Sequence, residues 1–309
     1  MQPVVERQGM PGTDGYDPQQ AERHPMEVDV PEFAVEAPAA GDVAAALVLA
    51  ACGIAASLAV VWVIARRARH GLPAVSPRPH PPVTWTGIDV AIAVATYLWL
   101  QLLAGASLPA DASLHVRLAA GAAAMLAATV AIVGLLLRRG ATRASLGFGP
   151  VRLRDDMGLA VAALAVLLAP LLAVAAGLDR IVPYRHALVD FLAAHRDPLA
   201  IGLVAFAAVV AAPIAEEFLF RRVLQGWLER REPEWGWRPA IVLSSLAFAA
   251  AHVGQGLAWV PLFFFGLVAG YLARQTGSIV PGIVMHSLFN AVSVVLVLAQ
   301  TGAGPAAGG

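Results

Sequence analysis

Between Val43 and Leu298 the chain is a succession of apolar runs, and one of them, Leu199–Ala215, carries no charge before it meets two adjacent carboxylates, Glu216 and Glu217. Apolar runs of about 20 residues leave little choice of fold. In hydrocarbon every backbone N–H and C=O must be paired within the segment, so a helix is the available spanning form. A carboxylate at the edge of such a run is costly unless it is paired or used. Glu217 and Arg221 are four apart and can pair on one helix face. Glu216 points about 100° away from that face and finds no partner on its own helix.

Composition agrees with this reading. The chain is 59% hydrophobic and 14% charged, against roughly 25% charged in soluble domains, and its mean hydropathy is +0.70. The expected fold is all-α, a polytopic transmembrane helical bundle of about eight spans with its active site between the later helices. All 21 basic residues are arginine. That bias and the abundant alanine suggest a GC-rich bacterial genome and carry no functional weight. The single cysteine, Cys52, excludes an intrachain disulfide and a multi-thiolate metal site, and its place in an apolar run predicts a small buried side chain.

Residues 1–42 hold nine acidic side chains against Arg7 and Arg23, with no helical or strand period. They read as a disordered acidic tail and not as a cleaved signal peptide. Residues 43–198 form the earlier spans: Val43–Ala65, Val90–Leu108, Leu118–Leu137 and Met157–Gly177. A polar piece, Arg143–Asp156, contains the turn-prone Leu-Gly-Phe-Gly-Pro. A charged loop follows the fourth span, and its Val189–Ala194 part is expected along the membrane interface. Residues 199–300 carry the remaining segments: the run from Leu199, the short Ala240–Ala251, Leu257–Leu272 and Ile279–Leu298. Residues 301–309 are a second disordered tail.

Arginines cluster after the first, third and fifth spans, and Arg274 falls between the last two. The positive-inside rule puts those loops in the cytoplasm of a plasma-membrane protein and the acidic tail outside. The active site then opens near the cytoplasmic leaflet, because Glu216 ends the fifth run. His24, His70, His80, His115, His186 and His195 lie in loops or the tail and read as solvated.

The later half places polar residues at helical spacing inside apolar segments: Phe248 with His252, and His286 with Asn290. Gly266 and Gly270 form a small-xxx-small pair that admits a close neighbour. Pro213 removes an intrahelical hydrogen bond near residue 209 and permits a kink before the carboxylates. One free carboxylate, two imidazoles and an amide suit proton abstraction from water by Glu216 with help from His252. His286 and Asn290 are donors for a developing oxyanion. Glu with two His also suggests zinc. No His-Glu-x-x-His helix exists, however, and an amide is a poor zinc ligand. The cofactor therefore stays open, with metal-free attack preferred. A proton-coupled transporter and a non-catalytic membrane protein are the rival classes.

The order and spacing of Glu216-Glu217-x-x-x-Arg221, Phe248-x-x-x-His252, Phe263-x-x-Gly266 and His286-x-x-x-Asn290 resemble the CAAX prenyl protease 2 family, also called CPBP or Abi. These are intramembrane endopeptidases. The resemblance covers residues 199–300 closely. It implies a catalytic set of Glu216, Glu217, Arg221, His252, His286 and Asn290. In that set Glu216 and His252 activate water, Glu217 supports the site through Arg221, and His286 and Asn290 face the oxyanion. Family members have been described both as metalloproteases and as glutamate-type proteases, so the metal is not fixed by the resemblance. The implied partner is a membrane-associated protein or peptide substrate in the bilayer, with no nucleic acid. Bacterial relatives include proteins of bacteriocin self-immunity, so a prenylated substrate is not the default.

Overall fold

The structure, a computed structural model, describes residues 40–149, 152–182, 189, 191, 192, 195 and 197–302. Two units are distinguished. Of Met1–Val48, residues 40–48 are described and open the first helix; Leu49–Gly309 holds everything discussed below. The acidic tail before residue 40, His24, His186 and the tail from residue 303 lie outside the described residues.

The described chain is helical, with no strand among the described residues. The helices longer than one turn are α1 (Ala40–Arg69), α2 (Gly87–Ala106), α3 (Leu114–Arg138), α4 (Leu153–Asp179), α5 (Pro198–Glu229), α6 (Arg238–Ala250), α7 (Trp259–Thr276) and α8 (Val280–Gly302). Six stretches are long and apolar enough to cross a membrane: Ala51–Arg69, Gly87–Ala106, Leu114–Arg138, Leu153–Asp179, Pro198–Glu229 and Val280–Ala299. The described residues thus form an all-α, multi-span membrane bundle with six candidate spans. The other two segments expected from the sequence are helical but fall short of that standard. α6 has 13 residues, and α7 ends on Arg274, Gln275 and Thr276.

Local chemistry sets several helix ends. Asp89 accepts from the N–H and the hydroxyl of Thr86 at 2.8 and 2.9 Å, which fixes the start of α2. Asp197 caps α5 by accepting from the N–H groups of Leu199 and Ala200 at 3.1 and 3.0 Å, with Pro198 in the first turn. Gly277 stops α7 in the left-handed conformation, at φ 64°.

α5 is the central element. One side packs with α2 and α3 around Val90, Ile132, Leu136, Phe218 and Val223. Phe220 also reaches the second core, built from Leu171 of α4, Phe248 of α6, Phe265 of α7 and Met285 of α8. α6 lies along α7, and α4 packs against α7 and α8.

The arginine-rich loops meet at one end of the bundle. Arg78 pairs with Asp156 at the start of α4, and its N–H donates to Gln275 O in the last turn of α7 at 2.7 Å. Arg139 reaches Asp89 at 3.3 Å. Arg222 donates to Ser145 O within the Thr142–Gly147 turn, where Gly147 takes φ 82°.

Two expectations are corrected. Cys52 is exposed, and none of the Ala51–Arg69 window is buried. Apolarity in a membrane protein marks lipid-facing residues as well as core ones, so an apolar run does not imply burial. His115 and His195 are half-buried rather than solvated. Their rings pack with Phe191, at centroid distances of 5.3 and 4.7 Å, and His115 Nε2 lies 3.5 Å from Asp197. His80 is also half-buried, with Nδ1 3.0 Å from Arg78 O. Of Val189–Ala194, residues 189, 191 and 192 are described, and Phe191 and Leu192 are buried against Ala200 and Val204.

Candidate active site

The site grows out of an irregularity in α5. Two stretches of the helix, Phe206–Ala211 and Glu217–Leu224, are π-helical, separated by the five α-helical residues Ala212–Glu216. The N–H of Ala212 bonds Ala207 O, five residues back. Ala208 O then has no donor in its own helix, because the next candidate is Pro213, which has no N–H. The proline therefore frees the carbonyl of Ala208, beside residue 209 as expected. Asn290 of α8 fills the vacancy, donating from Nδ2 to Ala208 O at 2.7 Å. The amide carries a second N–H, so one donor of Asn290 stays available.

Glu217 lies at the buried centre. Its side chain is 0% exposed and that of Arg221 1%, and Arg221 Nε donates to Glu217 Oε2 at 3.3 Å. The ion pair expected from the i,i+4 spacing is made. The other carboxylate oxygen, Oε1, is 3.2 Å from His286 Nδ1. The guanidinium also covers the Phe248 ring, 4.9 Å from its centroid.

Two glycines admit this group, and a third admits Gln225 beside it. A Cβ at Gly282 would fall 2.6 Å from Glu217 Oε2. One at Gly266 would lie 3.0 Å from Ser245 Cβ and 3.3 Å from Arg221 Nη2. Gly270 is the place where Gln225 of α5 reaches α7, donating from Nε2 to Gly270 O at 2.9 Å. Gly266 and Gly270 thus both serve close approach, as their spacing predicts. Gly282 was not singled out in the sequence. Its only local signal is Pro281 beside it near the start of a helix.

Glu216 is the carboxylate left over. Its Oε2 is buried and has no hydrogen-bond partner. His252 Nε2 stands 4.0 Å from it and His286 Nε2 3.9 Å. Both rings are held from behind. His252 Nδ1 contacts Phe248 O at 2.8 Å, and a carbonyl can only accept, so that nitrogen carries the proton. His286 Nδ1 faces Glu217 in the same sense. In the neutral rings both Nε2 atoms present lone pairs, and with Glu216 Oε2 they make three acceptors around one gap. Side-chain exposure separates two zones. Glu216 and His252, at 17% and 16%, can be reached, whereas His286, at 5%, belongs with the closed pair behind.

A shared donor is what three converging acceptors lack. A water about 2.8 Å from Glu216 Oε2 and from either imidazole would bridge a 4 Å separation at an angle near 90°. Tetrahedral zinc, with bonds of about 2.0–2.2 Å, holds its ligand atoms roughly 3.3–3.4 Å apart. The observed 3.9 and 4.0 Å are wider than that. Among the described residues no group of three His, Cys, Asp or Glu meets the spacing for a metal ion. As they stand, these side chains fit water better than zinc.

Residues 198–292 match the family model described as Type II CAAX prenyl endopeptidase Rce1-like. The match runs from the start of α5 into α8 and contains all six candidate site residues. The chain therefore carries a CAAX-protease family domain over that part of its length. No curated protein and no solved structure matches the chain.

Proposed function

We propose that this protein is an intramembrane endopeptidase that hydrolyses a peptide bond of a membrane-associated protein or peptide with a water activated by Glu216 and His252. The observation that carries the reading is the buried, unpartnered Glu216 Oε2, with the Nε2 atoms of His252 and His286 at 4.0 and 3.9 Å. The family match over the same residues supports it.

In the proposed reaction a water in the gap donates one proton to Glu216 and attacks the scissile carbonyl carbon. His252 Nε2 accepts the second hydrogen bond of that water and orients it. The carbonyl oxygen becomes an oxyanion facing the free N–H of Asn290. Collapse of the tetrahedral intermediate breaks the C–N bond, and the proton held by Glu216 passes to the leaving nitrogen. Glu217 and Arg221 touch no reacting atom in this scheme. They fix His286, and the 3.3 Å ion pair keeps the buried charge balanced. No step runs through a metal.

The protein is further proposed to sit in a bacterial plasma membrane with the arginine-rich end of the bundle in the cytoplasm and the N-terminal tail outside. Catalysis would then occur near the cytoplasmic leaflet. Because Cys52 is exposed, cysteine labelling of intact cells must start from Cys52→Ser. A cysteine placed at position 230 should resist an impermeant reagent, and its labelling from outside would reverse the orientation.

Activity is tested by incubating the purified chain, in detergent and in liposomes, with a library of membrane peptides. Discrete cleavage products that are absent from Glu216→Gln support the endopeptidase reading. Solute-dependent proton flux without any product favours the transporter, and neither signal favours a non-catalytic immunity-type protein.

A further inference from the structure

A second polar feature of α5 lies outside the catalytic set. Arg222 is 4% exposed. It donates from Nε to Ser145 O and covers the Trp85 ring at 5.9 Å. Its Nη2 is buried with no hydrogen-bond partner. Among the described residues no carboxylate lies within ion-pair distance of it; Glu229 is engaged by Gln225 Nε2 at 3.0 Å. A buried guanidinium with an unmet donor is costly. The cost is avoided when an acceptor enters from outside.

There is space for one. Arg222, Arg230, Arg274, Glu229 and His80 line a cavity of about 140 Å³, whose remaining wall is Pro81–Val83 and Gly226. The lining thus holds three guanidinium groups and one carboxylate. At about 30 Å³ per water, the volume holds one small anion with few waters and no peptide segment. The cavity lies at the end of α5, which closes at Glu229, beyond the uncharged run that stops at Ala215. Arg230 Nη1 donates to Trp85 O at 2.6 Å, two residues beyond the Pro81–Val83 wall, which holds Arg230 in place at the rim.

We propose that this pocket is a binding site for a phosphate group, held by Arg222 from within and by Arg230 and Arg274 at the rim. Guanidinium–phosphate pairing is bidentate and strong, and basic pockets between spans at the cytoplasmic surface suit anionic headgroups. The phosphate can belong to a phospholipid or be free in solution, and the test separates the two.

Native mass spectrometry of the full chain from nanodiscs of phosphatidylcholine, with and without phosphatidylglycerol, reads the lipid. Titration of the detergent-purified chain with inorganic phosphate, against chloride at matched ionic strength, reads the free anion. Retained phosphatidylglycerol that weakens about tenfold in Arg222→Gln and in Arg274→Gln establishes the site with a lipid occupant. Saturable phosphate binding with the same sensitivity establishes it with a free one. Should Arg222→Gln fail to fold, Arg274→Gln and Arg230→Gln carry the comparison. Arg66→Gln, on α1 and off the pocket, should bind as wild type does. Absence of binding from both sources overturns the proposal. So does equal binding by wild type and Arg274→Gln, or an equal loss in Arg66→Gln.

Discussion

Replacing Glu217 by Gln changes one atom in shape and removes one charge from a closed compartment. Glu217 and Arg221 have side chains 0% and 1% exposed, and their 3.3 Å contact is the only carboxylate pairing Arg221 has among the described residues. Solvent does not screen the guanidinium left behind. Its Nη1 and Nη2 are already without hydrogen-bond partners, so the structure has no spare acceptor to offer. Breaking a buried pair from one side costs about 3–5 kcal/mol. On the soluble-domain scale of roughly 2–4 °C per kcal/mol, the apparent Tm should fall by about 6–20 °C. Activity should fall as well, since His286 loses the carboxylate on Nδ1. The paired variant Glu217→Gln/Arg221→Met should regain most of the lost stability, because no buried charge remains, yet stay inactive. Unfolding of the purified protein, followed by tryptophan fluorescence and checked by size-exclusion recovery, measures both. A Glu217→Gln protein within about 1 °C of wild type would refute the claim that Arg221 depends on this partner. A double variant less stable than the single one would refute the charge argument itself.

Gly282→Ala puts a Cβ 2.6 Å from Glu217 Oε2. It should cost about 1–3 kcal/mol of stability and most of the turnover, whereas Gly266→Ala, with 3.0 Å to Ser245 Cβ, should be milder on both measures. Asn290→Ala should lower kcat by about 10²–10³ through loss of an oxyanion donor. It also strands Ala208 O, so amide exchange across 206–216 should accelerate. The Asp197 carboxyl is held below the usual carboxylate range, first by the Ala200 N–H and then by His115. Its cap therefore stabilises the start of α5 above the ordinary carboxylate pKa and is lost as pH falls through the lowered value. Amide exchange at Leu199 and Ala200 should rise at acid pH in wild type and be raised at all pH values in Asp197→Ala.

Much of the candidate site was legible because its signals are local. The Glu217–Arg221 pair needs only i,i+4 spacing, and Glu216 stands out as the carboxylate with no partner on its helix. The Phe248/His252 and His286/Asn290 pairs read the same way, although spacing alone could not say that both imidazoles turn Nε2 towards Glu216. Other features depend on what another helix brings. Gly282 matters because Glu217 approaches it from α5. Asn290 finds Ala208 O because the π register moves the orphaned carbonyl by one residue, and no sequence pattern announces π-helix. His115, His195 and Asp197 lie far apart or in a charged loop, so their clustering was invisible. Cys52 was misread because lipid and protein core select the same side chains.

The central claim is that Glu216 activates a water for peptide hydrolysis. It is tested most directly by cleaving a membrane peptide in ¹⁸O-labelled water with wild type, Glu216→Gln and His252→Ala, counting metal on the same dialysed samples. Wild type should place one ¹⁸O in the new carboxylate with metal far below one ion per chain. Each variant should be folded and slower by about 10²–10⁴. Wild-type rates in Glu216→Gln would contradict the account. So would activity that requires one zinc per chain, disappearing on its removal and returning on its addition.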